Sequence, residues 1–205
     1  NQPYAGLPGT LVRTEGAPPS GLADADAAYQ SLGDTYNLFH DWHGRDGWDD
    51  AGATIVATTR YCTAQGCPYQ NAYWSGEQLV FGDGYPQADD VVAHEFTHAV
   101  TDHTSNLFYY MQSGAINEAL SDIWGEFVDL TNGHDGGGGS VPWVVGEDLP
   151  EGAMRSLSDP TAYTYSLDGI SWQAYADRMT HPGYYCGSLD NGGVHLNSGI
   201  AAKAA

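Results

Sequence analysis

Apolar residues recur three or four positions apart at Ala25, Tyr29, Leu32, Tyr36 and Phe39, which predicts an amphipathic helix. Asp24 or Asp26 is available to cap its start. Ahead of it, residues 1–22 carry Gly6, Pro8, Gly9, Pro18, Pro19 and Gly21 and read as irregular. Three strand-like runs follow: Ala53 to Thr58, Asn71 to Trp74, and Gln78 to Phe81, the last ended by Gly82-Asp83-Gly84. A helix opens at Asp89 and Asp90, where acids complement the positive end of the macrodipole. Another spans about Ala115 to Leu130, with Ile116, Leu120, Ile123 and Phe127 as its apolar stripe. Gly133 to Ser140 reads as a flexible loop, Thr161 to Gly193 as loop-rich, and a last helix begins near Val194. There is no internal repeat. Strands and turns come first and helices later, so the fold class expected is α+β, in two lobes flanking a cleft. The boundaries expected are 1–104 for a sheet-containing lobe that includes the helix opening at Asp89, and 105–205 for a mainly helical one.

The helix after Asp90 reads V-V-A-H-E-F-T-H-A-V-T. In a helix, His94 and His98 fall one turn apart on one face, close enough to share a metal ion, while Glu95 between them points at a metal-bound water. Two imidazoles rarely hold a catalytic zinc without a third ligand. On the following helix Glu118 stands twenty residues after His98, and Asp122 one turn further along the same face, where it can accept a bond from a ligating imidazole. A lone H-E-x-x-H also occurs as a surface face that binds nothing. The distal N-E-x-x-S-D at this distance is what makes the metal reading specific. His40, His43, His103, His134 and His181 have no ligand spacing relative to it and are assigned nothing.

These segments resemble the thermolysin family of secreted zinc endopeptidases, whose pattern is H-E-x-x-H followed by G-x-x-N-E-x-x-S-D. The resemblance implies His94, His98 and Glu118 as zinc ligands, Glu95 as general base, and Asp122 as support for a histidine. Asn71-Ala72-Tyr73-Trp74 matches the family's edge strand and implies Asn71, Ala72 and Trp74 as substrate contacts. Tyr109 falls where the family assists transition-state binding, and Arg155, in M-R-S-L-S-D-P, where it contacts a substrate carbonyl. D-N-G-G-V-H-L-N-S-G matches the segment supplying a catalytic histidine, here His195, oriented by Asp190. Val91, Val145, Leu149 and Met154 fall at the family's pocket positions and are all apolar, implying cleavage on the amino side of large hydrophobic residues. Asp90, Asp129 and Glu147 match family calcium ligands. Pro142 and Val144 stand where members with paired calcium ions carry acids, so one calcium is expected. The likeness runs from about Gly21 onward. Members extend further at both ends, so the chain reads as a central part with an incomplete C-terminal lobe. An inactive metal-binding relative and a zinc aminopeptidase are the competing readings. Glu95 and His195 argue against the first, and the lack of an acidic signature for a free amino terminus argues against the second.

Composition narrows the partners. Asp and Glu number 26 against six Lys and Arg, a formal charge of −20 over 205 residues, which repels nucleic acid and anionic membranes. Protein or peptide substrates and a monomer are expected. Calcium binding, a salt-rich habitat and plain solubility would each account for the acids, and composition leaves all three open. No apolar run approaches the length of a membrane span. The chain starts at Asn1 without a signal-like stretch, so a processed, secreted, extracellular product is expected. Cys62 and Cys67 are close enough in C-T-A-Q-G-C to close a small disulfide loop, and Cys186 has no evident partner.

Overall fold

The computed structural model describes residues 6–64, 66–134, 141–167 and 170–205. Helix α1 spans Ala23–His43. A small mixed sheet follows, from β1 (Ala57–Thr58), β2 (Ala72–Trp74) and β3 (Leu79–Phe81), in the order β1-β3-β2. β1 runs parallel to β3 and β2 antiparallel to it, which leaves β2 at one edge. Next come α2 (Asp89–Asp102) and α3 (Met111–Thr131). Two short ladders, β4 (Val144–Val145) with β5 (Arg155–Ser156) and β6 (Thr164–Leu167) with β7 (Ile170–Ala174), precede α4 (Asp190–Ala202).

Helix α2 is the axis of the molecule. Val91, Val92, Ala93, Phe96 and Ala99 are buried around its circumference, as expected of a helix with neighbours on every side. It packs on α1, α3 and β2, while α3 also packs on α4. Phe39 joins the layers, with its ring centroid 5.7 Å from Phe96 and 5.3 Å from Trp124. Leu79, Val80 and Phe81 are fully buried because β3 has a partner on each side. Where α3 crosses α2 the backbones nearly touch: a Cβ on Gly125 would lie 2.6 Å from the Asp90 carbonyl oxygen. Only glycine permits that approach.

Several expectations are corrected. Asp24 and Asp26 do not cap α1; Leu22 sits at the N-cap without a side-chain bond. Being inside the first turn, both carboxylates reach back to other segments. Asp26 accepts from the Ser20 and Gly21 N–H groups and from Arg13, and Asp24 from Gly84 N–H and Gln87. The first strand is only two residues long, since just Ala57 and Thr58 find partners in β3. The stretch expected to be loop-rich holds the β6–β7 hairpin. Regular helix geometry in α4 does start at Val194, because Asp190 to Gly193 all have positive φ. Cys62 and Cys67 are disulfide-bonded and Cys186 is free and exposed. The expected glycine loop lies mostly outside the described residues, at 135–140.

Candidate metal centre

Helical spacing brings His94 and His98 together, with Nε2 atoms 3.0 Å apart. Glu118 reaches them from α3, placing Oε1 3.3 Å from His98 Nε2 and Oε2 3.5 Å from His94 Nε2. A tetrahedral zinc site with bonds of 2.0–2.1 Å has ligand–ligand edges of about 3.3–3.4 Å, so the two imidazole nitrogens and the Glu118 carboxylate already stand at ligand separations. The opposite ring nitrogens are spoken for. His94 Nδ1 donates to Asp122 Oδ1 at 2.8 Å, and His98 Nδ1 donates to Asn117 Oδ1 at 2.8 Å. Both Nε2 lone pairs are thereby turned inward. Glu118 is almost wholly buried, and its Oε2 has no hydrogen-bond partner among the described residues. An unpartnered buried carboxylate oxygen facing two imidazole nitrogens fits a divalent cation.

Charge points the same way. Burial works against the Glu118 carboxylate, but His195, His98 and His94 outweigh it and hold the group well below the usual range. His98 is likewise opposed by burial yet pushed up to about 9, chiefly by Glu118. A cation held between them would take the place of that proton. Asp122, lowered despite burial because Arg155 and His94 flank it, is gripped by Arg155 through Nε at 2.8 Å and through its second nitrogen.

A second set of groups faces the same point. Tyr109 donates to Glu118 and lies 3.4 Å from His195 Nε2. Burial, then Glu118, raises the Tyr109 phenol far above its ordinary value, so it stays a donor. His195 Nδ1 donates to Asp190 at 2.6 Å, and the His195 N–H donates to the other Asp190 oxygen at 3.0 Å. The positive-φ run Asp190–Gly193 folds that carboxylate back under the ring. Sequence reasoning missed Tyr165, which stacks on His195 at 5.7 Å and 16°. Its signal, β-prone residues flanking Asp168-Gly169, was read as loop.

All of these residues except Asp122 and Asp190 line one cleft of about 1020 Å³, beneath the β2 edge. Glu95 lines it beside the two histidines, as do Asn71, Ala72, Trp74 and Arg155. Val91, Val145, Leu149 and Met154 form an apolar wall with Tyr85, another residue not anticipated.

The second cluster differs from expectation. Asp90, Glu126 and Glu147 bring carboxylate oxygens within 4.8 Å of one another. Asp129 is buried further along α3 and is not in that triple; Glu126, overlooked, is. Its signal was its place one turn after Asp122 on α3, but only the fold of residues 141–147 brings Glu147 across to it. Burial and the neighbouring acids raise Asp90, Glu147 and Glu126, the last to about 9. One oxygen each of Glu126 and Glu147 is buried without a partner among the described residues, which fits a hard oxygen-seeking cation.

Comparison with known proteins bears on both clusters. The thermolysin metallopeptidase catalytic-domain model matches residues 15–102, and the thermolysin metallopeptidase alpha-helical-domain model matches 105–205. An extracellular metalloprotease of Pectobacterium carotovorum subsp. carotovorum is 42% identical over 218 residues, covering 97% of this chain and 58% of that protein. Bacillolysin of Brevibacillus brevis is 41% identical over 97% of this chain and 35% of its own length. The solved precursor of protealysin, a metalloproteinase from Serratia proteamaculans, superposes with a TM-score of 0.81 at 35% identity, covering 97% of this chain and 63% of that one. The chain thus spans between a third and two-thirds of these relatives. With two successive models of one family accounting for residues 15–102 and 105–205, and an α+β fold shared with a solved member, the chain belongs to the thermolysin metallopeptidase family.

Proposed function

We propose that this chain carries the catalytic centre of a zinc-dependent endopeptidase that cleaves on the amino side of large hydrophobic residues. The observation that carries the reading is the convergence of His94 Nε2, His98 Nε2 and Glu118 on one point, with Glu95 alongside, in a cleft under an open strand edge. Zinc held by those three residues supplies Lewis acidity, which makes a water nucleophilic at neutral pH and polarises the scissile carbonyl.

The protein's own groups do the rest. A peptide adds antiparallel to β2, where backbone bonds and the Asn71 side chain are indifferent to sequence. Its hydrophobic side chain enters the wall of Val91, Val145, Leu149 and Met154. Glu95 takes the proton of the attacking water and returns it to the leaving amine. Tyr109 and His195 donate to the oxyanion of the tetrahedral intermediate, with Asp190 fixing the histidine's orientation. Arg155, anchored by Asp122, lines the cleft within reach of a substrate carbonyl.

The Asp90–Glu126–Glu147 cluster is assigned to one calcium ion. The acidic surface and the name of the Pectobacterium relative support a secreted protein that acts as a monomer on proteins or peptides, not on nucleic acid or membranes. No helix of the described residues is long and apolar enough to cross a membrane. Casein hydrolysis should be abolished by a chelator and restored by zinc. Glu95→Gln should retain zinc while losing turnover by orders of magnitude, and normal turnover in that variant would reject the mechanism.

A further inference from the structure

Positive charge is scarce along the cleft. Among the described residues its only lysine or arginine is Arg155, which donates to Asp122 through two of its guanidinium nitrogens. Arg13, Arg60, Arg178 and Lys203 are likewise paired with aspartates elsewhere on the surface. Four carboxylates line the cleft: Glu95, Asp102, Glu118 and Glu151. The divalent cation proposed at the centre would offset the two in the middle. The other two stand at opposite ends of β2. Asp102 accepts from Trp74 Nε1 at 2.9 Å, and Glu151 accepts from Gln70 Nε2 at 2.8 Å. Both of these donors are neutral, so neither bond supplies a counter-charge.

Glu151 is well placed to act on a substrate. It follows Leu149, part of the apolar wall, by two residues in a turn pinned by Leu149 N–H to Gly146 O and Gly152 N–H to Leu149 O. If the wall holds the residue after the scissile bond, Glu151 faces the chain on the same, leaving side. Strand direction agrees: β2 runs from the Gln70 end to Trp74, so an antiparallel substrate runs N to C toward Gln70 and Glu151.

We propose that Glu151 is a specificity-determining residue, whose carboxylate selects a lysine or arginine one or two positions beyond the hydrophobic residue and disfavours an acid there. The inference rests on the peptidase reading above. Each change of charge should matter about two- to five-fold, the range of a solvent-exposed ion pair.

The test uses three dye-labelled peptides, identical but for Lys, Ala or Glu just after the leucine that follows the scissile bond. Their affinities are measured by fluorescence anisotropy on the zinc-loaded Glu95→Gln protein, which binds without cutting, and kcat/KM is measured on the parent. Affinity should fall in the order Lys, Ala, Glu, with steps that shrink as salt is added. Glu151→Gln should flatten the order and Glu151→Lys invert it. Were the order unchanged in both variants, it would come from the overall charge of −20 and the proposal would fail. Cleavage by the parent with no charge order would also sink it, leaving the peptidase reading intact. A charge order in binding with no cleavage by the parent would sink the peptidase reading and, with it, Glu151's role in choosing a cleavage site. Neither binding nor cleavage would sink both.

Discussion

Asp122 does two jobs, and they are separable. Its carboxylate is almost wholly buried, bonded to His94 Nδ1 on one side and forked by Arg155 on the other. Asp122→Ala strips a buried guanidinium of its counter-ion, which costs about 3–5 kcal/mol. For a chain of this size that is a fall in Tm of roughly 6–20 °C. The same change frees the His94 ring to rotate, and loss of such a supporting carboxylate weakens metal affinity by about 10- to 100-fold. Melting in a chelator isolates the first effect, and competition with a chromophoric chelator measures the second. The pair Asp122→Leu with Arg155→Met should then recover most of the stability, because no charge is left buried alone, while zinc affinity stays weak. The reasoning is refuted if the double variant also regains zinc affinity, or if Asp122→Ala loses stability with zinc affinity unchanged.

Two further outcomes test other parts of the structure. Calcium should raise the Tm of the parent, by the equivalent of about 2.7 kcal/mol at a hundredfold excess over Kd, and Glu126→Gln should abolish more of that gain than Asp129→Asn, as read by melts with and without calcium. Asp26 is held below its ordinary value of 3.8 first by the Ser20 N–H, against burial, with Gly21 and Arg13 adding. Its contribution is therefore present above 3.8 and lost as pH falls through the lower folded value, so Asp26→Asn should melt earlier than the parent at neutral pH and converge with it in strong acid.

What the sequence disclosed follows from how far each feature depends on distant chain. His94 and His98 share a face because a helix repeats every 3.6 residues, so their pairing needed no tertiary knowledge. Glu118 became legible through its own helix and its flanking N-E-x-x-S-D. Glu126 sits on that helix too, but its partners come from residues 90 and 147, and Pro142 and Val144 suggested a depleted site there. Tyr165 was hidden because a two-strand hairpin carries a weak local signal, and its stacking on His195 depends on α4 arriving from thirty residues later. Asp24 and Asp26 have the composition of a helix start, yet their bonds go to Gly84 and to Ser20, which a local rule does not see.

The near-contact between Gly125 and Asp90 has a mechanical meaning for the metal centre. Gly125 lies seven residues beyond Glu118 on α3, about 10 Å along the axis. Asp90 lies one turn before His94 on α2. The bare crossing acts as a spacer that sets how closely the two rods lie, and so the gap between the imidazoles and the carboxylate. A single methyl group inserted there would pry the rods apart like a shim, enlarging a cage whose tolerance is a few tenths of an ångström. A residue with no side chain thus governs the bore of a site it never touches.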